Sequence, residues 1–243
     1  PTILLTAFLC LAGGVIAIFI REPSRTSTGR DRPRLLRTAI QDLRSPQLIW
    51  ILVYFIGLFG LLRFAFHTYQ PFFQETVFDH ERPELNWLWL GALFAALNLV
   101  AAPSSRMVPF LTAKLSYRTL FLLLPLALSL AFIAMSQLTG WPAVMLFFVH
   151  QIPFGLHWAL IQDYVNHRLA ASARATTLSI LSFAGRVSFA LWIPIAGSYQ
   201  NEHGTGATYL ALGGIGIALT VLWCGPGLGT RLLKMSGKSP TSQ

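Results

Sequence analysis

Hydrophobic positions in this chain come in long unbroken runs rather than in the periods of a soluble helix or strand. Apolar stretches at about 2–20, 48–73, 87–106, 119–139, 142–162, 175–198 and 206–225 alternate with short polar segments. Each matches the roughly 20 residues that a helix needs to cross a bilayer core of about 30 Å. Hydrocarbon offers the backbone no water, so runs of this length predict helices whose hydrogen bonds close within the segment. The fold class that follows is all-α, a polytopic integral membrane bundle. Its short loops predict consecutive spans packed as antiparallel hairpins. The expected organisation is a leading span at 1–20, a polar loop at 21–47, a six-helix bundle at 48–225 and a tail at 226–243. Within the loop, residues 34–44 predict a short amphipathic helix lying on the membrane surface.

Charge sorts the loops. Arg21, Arg25, Arg30, Arg32, Arg34, Arg37 and Arg44 fill the first, Arg106, Lys114 and Arg118 the third, Arg168 and Arg174 the fifth, and Arg231, Lys234 and Lys238 the tail. The intervening loops hold Glu75, Asp79, Glu81, Glu84 and Glu202 against the single Arg82. Positive charge gathers on the cytoplasmic side of membrane proteins, so the basic loops and the C-terminus are expected inside. The net charge of +9 is therefore a topology signal rather than a nucleic-acid footprint. Only 11% of residues are charged, against about 25% in soluble domains, which excludes a fully water-exposed fold. Cys10 and Cys224 both fall in apolar runs and carry no disulfide or metal spacing. The chain opens at Pro1 directly in an apolar stretch, with no basic region before it and no small-residue cleavage site after it. It is expected to be part of a longer protein.

Ionisable residues at bilayer depth are costly and mark functional positions. Arg63, His67, Gln70 and Gln74 recur at spacings of four, three and four, on one helical face. Such a stripe is expected to face a cavity or a partner helix. Arg186 sits near the centre of its span, with Ser179 and Ser182 on the same face. His150 and His157 are seven apart, about two turns or 10 Å, too far to share a metal with ligand bonds of about 2 Å. Interhelical hydrogen bonding and contact with a solute or proton are equally compatible with that pair. No Asp or Glu lies well inside a span, Asp163 being at an edge. Arg63 and Arg186 thus require carboxylates from elsewhere or an anionic ligand, because buried charge must be paired. Gly13, Gly14, Gly57, Gly60, Gly213, Gly214, Gly216 and the Ala95–Ala96 pair predict close helix approach. Pro71, Pro125, Pro153 and Pro194 predict kinks. No metal site and no cofactor site is expected.

Several segments carry a resemblance. Asp163-Tyr-Val-Asn-His-Arg-Leu, then Arg174-Ala-Thr-Thr-Leu-Ser, Gly185-Arg186-Val-Ser-Phe-Ala and Pro194-Ile-Ala-Gly resemble the tenth-to-eleventh helix region of bacterial major facilitator superfamily transporters. Tyr69-Gln70-Pro71-Phe72-Phe73 is similar to the seventh helix of an uncharacterised branch of that superfamily. Arg21-Glu22-Pro23 before a basic loop is similar to its sixth helix and central loop. Lys114 and Arg118 match basic positions of the superfamily's loop motif, while Pro109, Ala113 and Ser116 depart from it.

The resemblance implies helices six to twelve of a carrier in a bacterial plasma membrane, working with an N-terminal half by alternating access. Its partners would be a small-molecule solute and the bilayer. It places Arg63, His67, Gln70, His150, His157 and Arg186 as candidates for the solute or proton pathway. Lys114, Arg118, Asp163 and Arg174 become candidates for gating at the cytoplasmic face. An imidazole titrates near a pKa of about 6.5, so the histidines bring proton coupling into view, with an anionic or drug-like solute.

Rival classes are thinner. Retinal proteins need a lysine in the last span, and Lys114, Lys234 and Lys238 all lie outside the spans. A seven-helix receptor would carry an acidic-Arg motif after its third span and Asn-Pro in its last, and neither is present. No nucleophile with a base suits an intramembrane enzyme. A channel or a non-transporting scaffold stays open, to be separated by flux against conductance.

Overall fold

The computed structural model of the protein describes residues 11, 46–76, 83–169 and 171–224. The expected leading span apart from Leu11, the basic loop with its surface helix, the loop acids Asp79 and Glu81 with Arg82, and the basic tail lie outside the described residues.

From residue 46 onward the described residues form six helices in order: α1 Pro46–Thr76, α2 Pro83–Arg106, α3 Val108–Lys114, α4 Tyr117–Gln137, α5 Trp141–Asn166 and α6 Ala171–Cys224. All but α3 are long and apolar enough to cross a membrane. The spans expected at 48–73, 87–106, 119–139 and 142–162 correspond to Leu48–Phe73, Leu88–Arg106, Tyr117–Gln137 and Trp141–Asn166. Asp163, expected to close its helix, is instead followed by one more turn to Asn166.

The last two expected spans are joined. Helical structure continues from Ala171 to Cys224, interrupted by non-helical geometry at Gly204 (φ 81°, ψ 171°). A backbone in that region disfavours any side chain, so glycine is the residue that permits the break. Contacts with α1 show that the chain reverses there. Before Gly204, Gly185 packs near Phe55 and Phe59 while Phe189 meets His67, so that arm runs parallel to α1. After it, Tyr209 meets Thr68 and Trp223 meets Trp50, so the second arm runs antiparallel.

Consecutive spans do not all pair as hairpins. Helices α4 and α5 do, but α2 packs chiefly on α5, and α6 packs on α1 and α4. Helices α1 and α2 meet through rings, Phe94 touching Phe66 and Tyr69. The reason lies in the small residues. Between lipid-solvated helices burial gives little drive, so association follows from where backbones approach closely. A methyl group on Gly155 would strike the Ala101 carbonyl and Ser104, which fixes α5 against α2. On Gly213 and Gly216 it would strike Ile133 and Ser129, which fixes the second arm of α6 against α4. On Gly57 it would enter the Trp223 ring. Gly60 and Gly214, also expected at interfaces, have open space before them.

The prolines at 71, 125, 153 and 194 lie inside continuous helices. A proline leaves the carbonyl four residues earlier without its donor. For Pro125 that carbonyl belongs to Phe121, and the buried Tyr54 hydroxyl donates to it at 2.9 Å. The bond links α1 to α4 at a point where hydrocarbon offers no alternative partner. Around it Trp50, Tyr54, Phe121 and Trp223 pack at ring separations of 5.0–5.6 Å.

Two outcomes follow for stability in detergent or lipid. Gly155→Ala is expected to lower the thermal midpoint, since overpacking against a backbone carbonyl costs about 1–3 kcal/mol or more, whereas Gly60→Ala is expected to be near neutral. Tyr54→Phe is expected to cost about 1–3 kcal/mol by leaving the Phe121 carbonyl unsatisfied. Its cost should shrink in a Pro125→Ala background that restores the helical donor, and a double-mutant cycle measures the difference.

Candidate functional site

The stripe on α1 faces α5 and the first arm of α6. Arg63 is half-buried, its guanidinium held over the rings of Phe59 (5.3 Å) and Phe154 (5.8 Å). Cations are drawn to the negative face of an aromatic ring, and the attraction grows when water is excluded. One turn on, His67 is exposed and stacks on Phe189 of α6 at 5.1 Å. Gln70 is half-buried, and the side chain of Gln74 lies outside the described residues.

Across from this stripe, α6 presents Ser179, Ser182 and Arg186. With Leu178, Phe183 and Trp158 of α5 they line an open cleft of about 440 Å³. Arg186 is exposed into it. Helical spacing explains the alignment, because residues three and four apart share a face. Arg63 and Arg186 are close enough for their like charges to interact, and His67 and His157 both feel the charge of Arg63. Four basic side chains from three helices thus converge. Among the described residues the one ion pair is His167 with Asp163 at 3.6 Å, so no carboxylate there offsets either arginine. Nor does any group of three His, Cys, Asp or Glu residues stand ready to hold a metal among them.

The two histidines of α5 separate in environment. His157 is half-buried and donates from Nδ1 to the Phe154 carbonyl at 2.5 Å. It lies flat against Phe55. His150 is fully buried among Tyr69, Phe132 and Phe154 and is not part of the cleft lining. Gln151 donates to the Tyr69 hydroxyl at 2.9 Å, and that hydroxyl is bonded in turn to His150 Nδ1. Using each donor once, the Tyr69 proton points to Nδ1, and Nε2 of His150 carries its hydrogen into a buried spot with no partner. The network ties α1 to α5 by interhelical hydrogen bonding.

The remaining candidates share one end of the bundle. Lys114 lies over Phe110 at 4.1 Å, and Arg118 is exposed. Asp163 accepts from Tyr117 at 2.5 Å. Arg174 donates to the Leu169 carbonyl at 2.8 Å, and Arg168 covers the Tyr164 ring at 4.0 Å. Asp163 is thus engaged by Tyr117 and His167, while Lys114 and Arg174 have partners of their own. The degenerate loop motif from Pro109 to Arg118 runs through α3 and a two-residue link into the first turn of α4, which Ser116 caps by accepting from the Thr119 amide.

The sequence pattern points to the cations and misses what holds them. Phe59 lies four residues before Arg63 and was legible as its neighbour on the helix. Phe154 and Trp158 carry no signal that separates them from ordinary lipid-facing aromatics.

A family model described as Major Facilitator Superfamily matches residues 1–193, most of the chain. No curated protein matches it.

Tyr69→Phe is expected to destabilise the protein by about 1–3 kcal/mol, because His150 and Gln151 each lose a buried partner. Combined with His150→Phe the cost should fall short of the sum of the two, as in any shared network, and thermal unfolding of the three variants measures it.

Proposed function

Because this chain belongs to the Major Facilitator Superfamily, whose members are transmembrane solute transporters and integral membrane proteins, we propose that it acts in secondary active transport of a small solute by alternating access. One observation carries the reading to a site. Arg63, His67, His157 and Arg186 converge beside an open cleft with no carboxylate near them among the described residues. Charge at bilayer depth is tolerated when it faces a polar cavity, so the cluster marks the solute pathway. Helices α1 to α6 then form one half of the carrier, and a second bundle closes the cleft from the other side. Arg63 and Arg186 draw an anionic group, and His67, exposed beside Arg63, is the histidine best placed to exchange protons.

In this reading the end bearing Lys114, Arg118, Asp163 and Arg174 is cytoplasmic, in a bacterial plasma membrane, as the charge bias of the loops supports. Tyr117, Asp163 and His167 join α4 to α5 there. They are the contacts available to change as the bundle rocks.

The test is solute-library counterflow in vesicles containing the full-length protein. Arg186→Ala is expected to lower kcat/KM about tenfold or more, the effect of losing one charge-assisted hydrogen bond of about 1.5–3 kcal/mol, and Arg63→Ala to lower it as well by weakening the positive field of the cleft. His67→Gln is expected to flatten the pH dependence of flux. Flux indifferent to both arginines would remove them from the pathway. Single-channel conductance in place of saturable counterflow would replace the carrier with a channel.

A further inference from the structure

The walls of the cleft differ in what they offer, and the difference narrows the solute. Along the first arm of α6, Ser179, Ser182 and Arg186 form one polar line. Seven residues of helix separate its ends, a length of about 10 Å. Leu178 and Phe183 flank that line on the same arm, and with Trp158 of α5 they complete the lining with apolar surface that carries no charge. Trp158 also packs on Phe55, their ring centroids 5.5 Å apart.

The two arginines are also unequal. Arg63 is occupied by the rings of Phe59 and Phe154. Arg186 is exposed, with neither a hydrogen bond nor an ion pair assigned to it among the described residues. A guanidinium presents a planar fork that matches a carboxylate with two parallel hydrogen bonds.

Resting on the carrier reading, we propose that the solute is a flat amphipathic monoanion: its carboxylate-like group pairs with Arg186, its ring lies against Trp158, and a polar substituent reaches Ser182 or Ser179. A cation is disfavoured by the convergent positive charge. A sugar would need several donors and acceptors around its ring, and the apolar surface offers none. A small dianion such as phosphate would need two free guanidiniums, and Arg63 is engaged. Arg63, seated on the Phe59 and Phe154 rings, then acts as a positioning residue that keeps the cleft positive.

The test uses 2-naphthoate as probe, titrated calorimetrically into the full-length protein in nanodiscs of zwitterionic lipid. Naphthoate is expected to bind about tenfold or more tightly than 2-naphthamide, which keeps the ring and loses the charge, and than acetate, which keeps the charge and loses the ring. Arg186→Gln is expected to erase the preference for acid over amide. Trp158→Leu is expected to weaken naphthoate severalfold while keeping that preference, which a merely misfolded variant would not do.

Equal binding of acid and amide, no binding of naphthoate, or affinity unchanged in Arg186→Gln would overturn the proposal. So would a loss of naphthoate binding of about tenfold in nanodiscs containing phosphatidylglycerol, which would assign the cleft to a lipid headgroup instead. The two readings fail separately. Saturable counterflow of a neutral solute without naphthoate binding keeps the carrier and discards this solute class. Naphthoate binding with no flux of any solute keeps the site and discards the carrier.

Discussion

Hydrocarbon supplies no hydrogen bonds, and that absence governs this structure from the backbone outward. It turns the apolar runs among the described residues into helices, because only a helix satisfies its own amides and carbonyls. It then makes each remaining polar group a problem with a visible solution. The carbonyl freed by Pro125 is met by Tyr54, and Gln151, Tyr69 and His150 satisfy one another across two helices. The same constraint bears hardest on charge. Arg63 is placed over two aromatic rings and Arg186 opens into a cleft, the two settings in which a guanidinium can be kept without a carboxylate beside it.

Packing follows a second rule with the same origin. Lipid tails compete equally well for apolar surface, so the helices associate where backbones come close. Gly155 against α2, and Gly213 and Gly216 against α4, select partners that are not consecutive in the chain. The bundle that results brings the first arm of α6 beside α1 and α5, which is what gathers Arg63, His67, His157 and Arg186. The cleft is therefore a consequence of where the glycines sit as much as of where the charges sit.

How much of this was legible in the sequence depends on the range of the interaction. Span positions follow from local composition and were readable to within a few residues, as Leu48–Phe73 and Trp141–Asn166 illustrate. Intrahelical alignment was readable too: 179, 182 and 186 share a face by arithmetic, and they line one cleft. Partner choice was not. Gly57 and Gly60 look alike in sequence, yet one abuts the Trp223 ring and the other faces open space. His150 and His157 lie two turns apart on one helix, yet the first is sealed in a network and the second sits beside the Arg63 cluster. Those distinctions depend on residues far away in the chain, such as Trp223 and Tyr69, that no local pattern ties to them.

The central claim is that Arg186 marks a water-filled, positively charged cleft rather than a surface against lipid. The most direct measurement is thiol labelling of Ser182→Cys in a Cys10→Ser, Cys224→Ser background, using water-soluble methanethiosulfonates of opposite charge. Leu99→Cys on the exposed apolar face of α2 serves as the reference. The account predicts that Ser182→Cys reacts readily, faster with the anionic sulfonate than with the cationic ammonium reagent, and that Leu99→Cys stays unreactive. A Ser182→Cys as inert as Leu99→Cys, or one that reacts faster with the cation, would contradict it.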